Sequence, residues 1–241
     1  MRTFAGIASL PGRPLERVIR SLLPQVSTIG VFLNGYGAIP IWLKHLSVEH
    51  DIEIRRTSEN RGSSSKLAWH YDLYSLIMRV GYYFACDDDL EYPPDYVERM
   101  LVPFQEWGNG IIVTACGRTL TPDARSWYDS QGERRYVAAV PEARWINYLG
   151  GCAFAFHTSL QLPRIDPPNE EEAVLSVWAQ QHEVSIRLIE RPYDWPKRIP
   201  LAPGAFTLYE QAAGERFATR SRIIQEVSPW QIHQPVPSPV P

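Results

Sequence analysis

The 241-residue chain reads as an α/β protein, with a mainly parallel central sheet flanked by helices in the doubly wound, nucleotide-binding manner. Three observations carry that reading. Short apolar runs alternate with amphipathic helical stretches through the first half of the chain. One of those runs ends abruptly in three consecutive aspartates, Asp87-Asp88-Asp89. The 44% hydrophobic content, over this length, is enough for one full core with an appendage.

The elements follow in order. Phe4 to Leu10 is an apolar run stopped by Pro11-Gly12, hence a buried strand ending in a turn. Pro14 opens a helix in which Leu15, Val18, Ile19, Leu22 and Leu23 recur at helical spacing, with Glu16, Arg17 and Arg20 on the other face. Ile29 to Leu33 is the second strand, punctuated by Asn34-Gly35-Tyr36-Gly37, and a short helix leads to Ile52-Glu53-Ile54, an edge strand. The spacing of Leu67, Tyr71, Tyr74 and Met78 predicts a helix over Ser63 to Met78. Gly81 to Cys86 is the strand that carries the aspartates. Pro94 and Asp95 start a helix that turns Tyr96, Val97, Met100, Leu101 and Phe104 inward, and Ile111 to Cys116 is the next strand. From Arg118 to Arg144 the periodicity is lost in a polar stretch containing Trp127, Tyr128 and Tyr136; a loop of this length in a compact domain is usually functional or mobile. Strands return at Trp145 to Leu149 and Cys152 to Phe156, separated by Gly150-Gly151. Asn169 is the expected cap of a helix from Glu170 to about Gln181, and Val184 to Ile189 is a further strand. The proline-rich tail from Gln234 to Pro241 reads as an extended, disordered segment or a linker to further domains.

The bulk numbers exclude several classes. A net charge of −3 gives no electrostatic footprint for nucleic acid. Three cysteines, each inside an apolar run and without C-x-x-C spacing, argue against a disulfide framework or a zinc site, so Cys86, Cys116 and Cys152 are expected as buried free thiols in a reducing compartment. Met1-Arg2-Thr3-Phe4 shows no leader, and no run approaches the ~20 apolar residues of a membrane span. The expectation is a soluble cytoplasmic protein whose only membrane contact is peripheral.

The aspartates are the sharpest chemical signal. Two ionised carboxylates ~5 Å apart repel by roughly 3 kcal/mol at an effective dielectric near 20. A hard divalent cation relieves that repulsion, because Mg²⁺-type sites combine one or two carboxylates with substrate phosphates. The carboxyl ends of strands are where open α/β sheets bind ligands. A solvated acidic turn is the bland alternative.

The ordered set Leu22-Leu23-Pro24-Gln25-Val26, Val31-Phe32-Leu33-Asn34-Gly35-Tyr36, Tyr82-Tyr83-Phe84, Asp87-Asp88-Asp89 and Tyr92-Pro93-Pro94-Asp95-Tyr96 resembles bacterial and viral GT-A-fold glycosyltransferases. More particularly it resembles the "family A" type of capsule and lipopolysaccharide assembly, over residues 3–196. The resemblance implies a GT-A, Rossmann-like domain over residues 1–200, with a donor half to about residue 117 and an acceptor half beyond it. Residues 201–233 are then a C-terminal helical extension. The implied activity is inverting transfer of a hexosyl or deoxyhexosyl group from a nucleotide-diphosphate sugar, UDP-type favoured, to a glycan hydroxyl in polysaccharide biosynthesis, with Mn²⁺ or Mg²⁺. Two segments depart from the pattern. Relatives carry Gly-Asp…Gly-Lys-Phe where this chain has Asn60-Arg61-Gly62-Ser63-Ser64-Ser65-Lys66, and Asn-Met-Ala-Asp where it has Asn169-Glu170-Glu171-Glu172.

The site residues implied are these. Ser9, Pro11 and Arg13 follow the first strand and face the base; Arg13 is equally readable as a surface helix residue. Asn34 contacts the base or ribose, or is a turn residue before Gly35. Lys66, ahead of Arg61, reaches the diphosphate. Asp87 lies near the ribose and the metal, Asp89 holds the metal, and Asp88 assists. Trp127 and Tyr128 with the Gly150-Gly151 turn hold the acceptor. Glu172, then Glu171, is the base, against the plain reading of exposed acids at a helix N-terminus. His157 and His182 are the weakest metal-ligand candidates. Two rivals remain open: a sugar nucleotidyltransferase, which should carry a Gly-rich loop where Ser9-Leu10-Pro11-Gly12-Arg13 has one glycine, and a non-catalytic nucleotide- or glycan-binding domain of a larger enzyme.

Overall fold

The computed structural model describes residues 1–73, 80–131, 138–201 and 213–235. The chain runs β1 (Thr3–Ser9), α1 (Leu15–Leu22), β2 (Thr28–Asn34), α2 (Ile41–Glu49), β3 (Ile52–Thr57), a 3₁₀ turn (Ser63–Leu67), α3 (Ala68–Leu73), β4 (Tyr82–Cys86), β5 (Leu90–Glu91), α4 (Tyr96–Trp107) and β6 (Ile111–Thr114). It continues through β7 (Gly117–Leu120), β8 (Ser130–Gln131), β9 (Arg144–Ile146), β10 (Tyr148–Leu149), β11 (Ala153–His157), α5 (Glu171–Gln181), β12 (Ser185–Leu188), β13 (Lys197–Arg198) and α6 (Ala213–Ile224).

Eight strands form one sheet in the order β3-β2-β1-β4-β11-β6-β12-β9. The first four are mutually parallel, β12 runs parallel to β6, and β11 and β9 are antiparallel to their neighbours. The mainly parallel sheet expected from the sequence is therefore present, with β3 at its edge; the antiparallel β11 and β9, which make it mixed, were not expected. Residues of β4 alternate between two cores: Phe84 and Cys86 pack with α1 and α4, while Tyr83 and Ala85 pack with α3 and α5. This double coverage is what makes the strands continuously apolar. In α1 the buried residues are Leu15, Val18, Ile19 and Leu22, and the solvent face carries an Arg20–Glu16 pair at 2.8 Å, one turn apart.

Several expectations change. The helix predicted over Ser63 to Met78 starts as a 3₁₀ turn, and its described part ends at Leu73; Tyr74 and Met78 lie outside the described residues, as does Tyr136. The run Trp145–Leu149 is split at Asn147, whose amide turns inward to bond both backbone groups of Leu120, at 2.7 and 3.0 Å. The irregular stretch from Arg118 contributes β7 and β8 to a small sheet with β10. Cys116 and Cys152 form a disulfide, leaving buried Cys86 as the free thiol, so the reading of three free thiols is corrected. They are 36 residues apart, but antiparallel pairing of β11 with β6 brings the end of one strand beside the start of the other. The described part of the tail stops at residue 235, so most of the proline-rich segment lies outside it. Among the described residues no helix is long and apolar enough to cross a membrane.

Candidate active site

The aspartates leave the end of β4 and diverge. Asp87 accepts from Lys66 Nζ at 2.7 Å. Asp88 and Asp89 both turn to Arg13: Asp88 Oδ1 accepts from Nε at 3.0 Å and lies 2.9 Å from Nη2, and Asp89 Oδ2 accepts from Nη2 at 3.0 Å. Backbone bonds fix the turn. Asp87 N–H donates to Cys152 O at 3.2 Å, the Tyr92 hydroxyl donates to Asp87 O at 3.2 Å, and Ile199 N–H, just after β13, donates to Asp89 O at 2.8 Å. Burial pushes Asp87 up to about 7 against the pull of Lys66, and raises Asp89 against the pull of Arg13. Arg13 is lowered by its own burial, but Asp88 and Asp89 outweigh this and hold it above its ordinary value.

Lys66 is the hub of the site. Its side chain is 1% exposed, and Nζ reaches Asp87, Gly151 O at 2.5 Å and Glu171 Oε1 at 3.2 Å. An ammonium has three donors, and three acceptors surround it. The ammonium is thus enclosed by protein, so the direct diphosphate contact expected of Lys66 is not what this geometry provides. The local fold explains the placement. Gly62 takes φ +77, a conformation open to glycine, and a Cβ there would stand 2.6 Å from Asn169 Oδ1. Asn34 then ties this turn down, donating to Ser65 Oγ at 2.9 Å and Gly62 O at 3.3 Å and accepting from Arg61 N at 3.0 Å. Buried Asn34 is therefore a structural link between β2 and the 3₁₀ turn.

The acidic run is not the exposed first turn its sequence suggests. Asn169 does not cap α5: it sits at φ +69 and accepts from Ser63 N at 2.7 Å, drawing the start of α5 onto the 3₁₀ turn. Glu170 is the N-cap residue and is buried; Glu171 is buried too, accepting from Ser63 Oγ at 2.8 Å. Burial is the strongest single influence and would raise Glu171, but Lys66, the Ser63 hydroxyl and a backbone N–H together outweigh it and hold the carboxyl below its ordinary value. Glu172 accepts from Gly151 N at 3.1 Å and from Arg220 Nη1 at 2.7 Å, while Arg220 Nε donates to Glu170 at 2.9 Å. The glutamate side chains differ in access, Glu172 being 23% exposed against 5% for Glu171 and 3% for Glu170. The approach of Gly151 requires glycine, since a Cβ would lie 2.8 Å from Glu172 Cγ.

Arg220 is the part that sequence reasoning missed: its helix, α6, lies within the expected C-terminal extension, but its pairing with Glu170 and Glu172 was not foreseen. Phe217 of α6 stacks on Trp127, with ring centres 5.6 Å apart, and Arg118 caps that indole at 3.7 Å. Trp127 and Tyr128 thus join the acidic run through α6, and Tyr128 remains exposed. The only sequence signal was an arginine on a helical stretch, which is usually solvated.

The other candidates scatter. Ser9 is buried, bonding Leu10 O at 3.3 Å and lying 3.5 Å from the Tyr36 hydroxyl, whereas Pro11 is exposed on the turn before Arg13. Gly150 N–H donates to Cys116 O at 2.8 Å, beside the disulfide. His157 pairs with Tyr82, at the end of β4 remote from the aspartates, and His182 lies at the far end of α5. Neither joins the site.

Whether these residues suit a divalent metal can be tested on the carboxylates themselves. Among the described residues, no three His, Cys, Asp or Glu side chains converge as a ready metal cluster. Asp88 and Asp89, however, already converge on one cationic group, the Arg13 guanidinium. Two hard carboxylate donors, completed by phosphate oxygens, are what Mg²⁺-type ions take. The donor set fits, with Arg13 standing in the cation's place.

The large, mostly parallel sheet flanked by helices is shared with solved GT-A glycosyltransferases, and the chain has that fold. Three solved structures show it. GalNAc-T7 with UDP, GalNAc and Mn²⁺ aligns over 81% of this chain at TM-score 0.58 and 11% identity. Glucosyl-3-phosphoglycerate synthase from Mycobacterium tuberculosis, in complex with Mn²⁺, UDP and glucosyl-3-phosphoglycerate, aligns over 93% of this chain and 77% of its own at TM-score 0.54 and 15% identity. S. aureus TarS (residues 1–349) aligns over 80% of this chain at TM-score 0.50 and 8% identity. The chain spans 45% of the GalNAc-T7 chain and 59% of the TarS chain. No protein-family model and no curated protein sequence matches it.

Proposed function

We propose that the chain is a metal-dependent, inverting glycosyltransferase that moves a sugar from a UDP-type nucleotide diphosphate to a glycan hydroxyl. The observation that carries this reading is the Lys66 hub. It joins the aspartate cluster on the donor strand to the glutamates of α5, at 2.7 Å to Asp87 and 3.2 Å to Glu171. The structures of GalNAc-T7 and of the mycobacterial synthase hold UDP and Mn²⁺, which supports the donor and metal assignment.

Glu172 is the base. Its carboxylate is the most open of the three glutamates, and Gly151 N–H and Arg220 hold it in place. As the acceptor oxygen bonds to the anomeric carbon, its proton passes to Glu172, and the bond to the leaving diphosphate breaks on the opposite face. When bound by Asp88 and Asp89, Mn²⁺ or Mg²⁺ supplies positive charge for that leaving group. Exposed Arg61, on the turn tied by Asn34, is the better placed of the two predicted cations to meet a phosphate. Trp127 and Tyr128 take the acceptor. The same Arg220–Glu172 pairing favours one rival, a binding module without catalysis, because it occupies the base.

The test is transfer and donor hydrolysis across a panel of nucleotide sugars with Mn²⁺. Glu172→Gln should lower kcat by about 10²–10⁴-fold with donor affinity unchanged, and the product should be inverted at the anomeric carbon. Near-normal transfer in both Glu172→Gln and Glu171→Gln, or a retained configuration, overturns the mechanism.

A further inference from the structure

We propose that Arg13 and a divalent cation compete for one seat, the Asp88–Asp89 carboxylate pair, so that Arg13 sets the metal affinity of the free protein. The inference rests on the glycosyltransferase reading for the identity of the second occupant, and otherwise on geometry.

Three contacts of 2.9–3.0 Å bind one guanidinium to both carboxylates. The three side chains are between 8% and 17% exposed, so water screens the charges little. A metal on these oxygens would sit ~2.1 Å from them, well inside contact range of the guanidinium nitrogens. Two positive centres cannot share that space. Asp87 Oδ1 is engaged by Lys66, which leaves Asp88 and Asp89 as the pair that shares Arg13. Asp87, Asp88, Asp89 and Glu171 face Arg13 and Lys66, with Arg198 also acting on Asp89, so the cluster keeps a formal excess of negative charge that still attracts a cation.

Arg13 has somewhere to go. It follows Gly12, at φ +83, on a short turn closed by Arg13 N–H to Leu10 O at 3.3 Å. Its side chain also lines a surface cleft of about 690 Å³, together with Glu16, Arg17, Trp42 and Glu91. Rotation of this long side chain toward Glu16 and Glu91, in a cleft that Arg17 and Arg20 also line, would vacate the carboxylates. Metal loading of the free protein is accordingly opposed by the protein's own cation.

The experiment is calorimetric titration with Mn²⁺ alone, without nucleotide, of the wild-type protein, Arg13→Gln, Arg13→Lys and Asp89→Asn. Removing a charge-assisted competitor should tighten Mn²⁺ binding about tenfold or more in Arg13→Gln. Arg13→Lys should fall between it and wild type, and Asp89→Asn should lose binding. Equal or weaker affinity in Arg13→Gln, or no Mn²⁺ binding by either protein at millimolar concentration, overturns the proposal. A second measurement keeps the wild-type chain intact: saturating Mg²⁺ should shift the Arg13 Nε–H resonance as its bond to Asp88 breaks, and an unmoved resonance also overturns it. If Arg13→Gln tightens Mn²⁺ and UDP-type ligands then bind neither protein, the competition stands and the glycosyltransferase reading fails.

Discussion

Lys66→Met tests the hub of the site most severely. Methionine keeps most of the side-chain volume but removes the ammonium that bonds Asp87, Gly151 O and Glu171. Glu171, 4% exposed, is then a buried carboxylate without its cation, although Ser63 still donates to it. Breaking one partner out of a buried ion pair costs about 3–5 kcal/mol, a large share of the roughly 5–15 kcal/mol that keeps a domain folded. For a chain of this size each kcal/mol moves Tm by about 2–4 °C, so Tm should fall by roughly 6–20 °C. The pH dependence follows from charge. In the wild-type protein Lys66 holds Glu171 below its ordinary value, so that stabilisation is present above the unfolded carboxyl range and is lost as pH falls through the depressed value. Without Lys66 the buried carboxyl is raised instead, and its cost is greatest at neutral pH and fades on acidification. Urea denaturation at pH 7.5 and pH 5, followed by tryptophan fluorescence, measures both. Adding Glu171→Gln to Lys66→Met should recover about 2 kcal/mol of the loss. A deficit below about 1 kcal/mol at pH 7.5, or one that does not shrink at pH 5, would refute the reasoning.

Other outcomes follow from the same contacts. Arg220→Ala strips the cation from Glu170 and Glu172 and should cost about 3 kcal/mol while lowering kcat more than donor affinity; Arg220→Lys should restore stability further than rate, because lysine cannot bridge two carboxylates as a fork. Replacing Trp127 and Tyr128 by alanine should raise the acceptor KM well beyond any change in donor KM, and equal effects on both would assign those rings to packing on Phe217. Burial holds His70 at about 4, below its ordinary 6.5. Its neutral form is therefore native: the contribution of His70 is full above pH 6.5 and is lost as pH falls to 4, by up to about 3 kcal/mol, and His70→Phe should flatten that part of the slope in denaturation curves.

Much of the donor half is legible in the sequence because its signals are local. The 3.6-residue spacing in α1, the Pro11-Gly12 and Asn34-Gly35 turns and the apolar run before Asp87 each act within a few residues, and all correspond to observed elements. Strand direction has no such signal. All five residues of β11 are buried, as in a parallel strand, so its antiparallel course could not be told from its composition. The same course creates the Cys116–Cys152 pair. Lys66 follows three serines at the start of a predicted helix, where a lysine is usually solvated, and a fully buried lysine is rare unless paired; its three partners come from positions 87, 151 and 171. Arg220, 48 residues beyond Glu172, has no local pattern that links the two. What escaped sequence reading is thus the long-range ionic wiring, while the strand end and helix start that carry the acids were visible.

The proposed function requires Asp88 and Asp89 to seat a divalent cation together with a nucleoside diphosphate. Calorimetry of UDP with and without Mn²⁺, on wild type and Asp89→Ala, tests it directly. Mn²⁺ should tighten UDP binding in the wild-type protein and have no such effect in Asp89→Ala, with both proteins equally folded by circular dichroism. UDP affinity that is independent of Mn²⁺ in the wild type, or equally metal-dependent in Asp89→Ala, would contradict it.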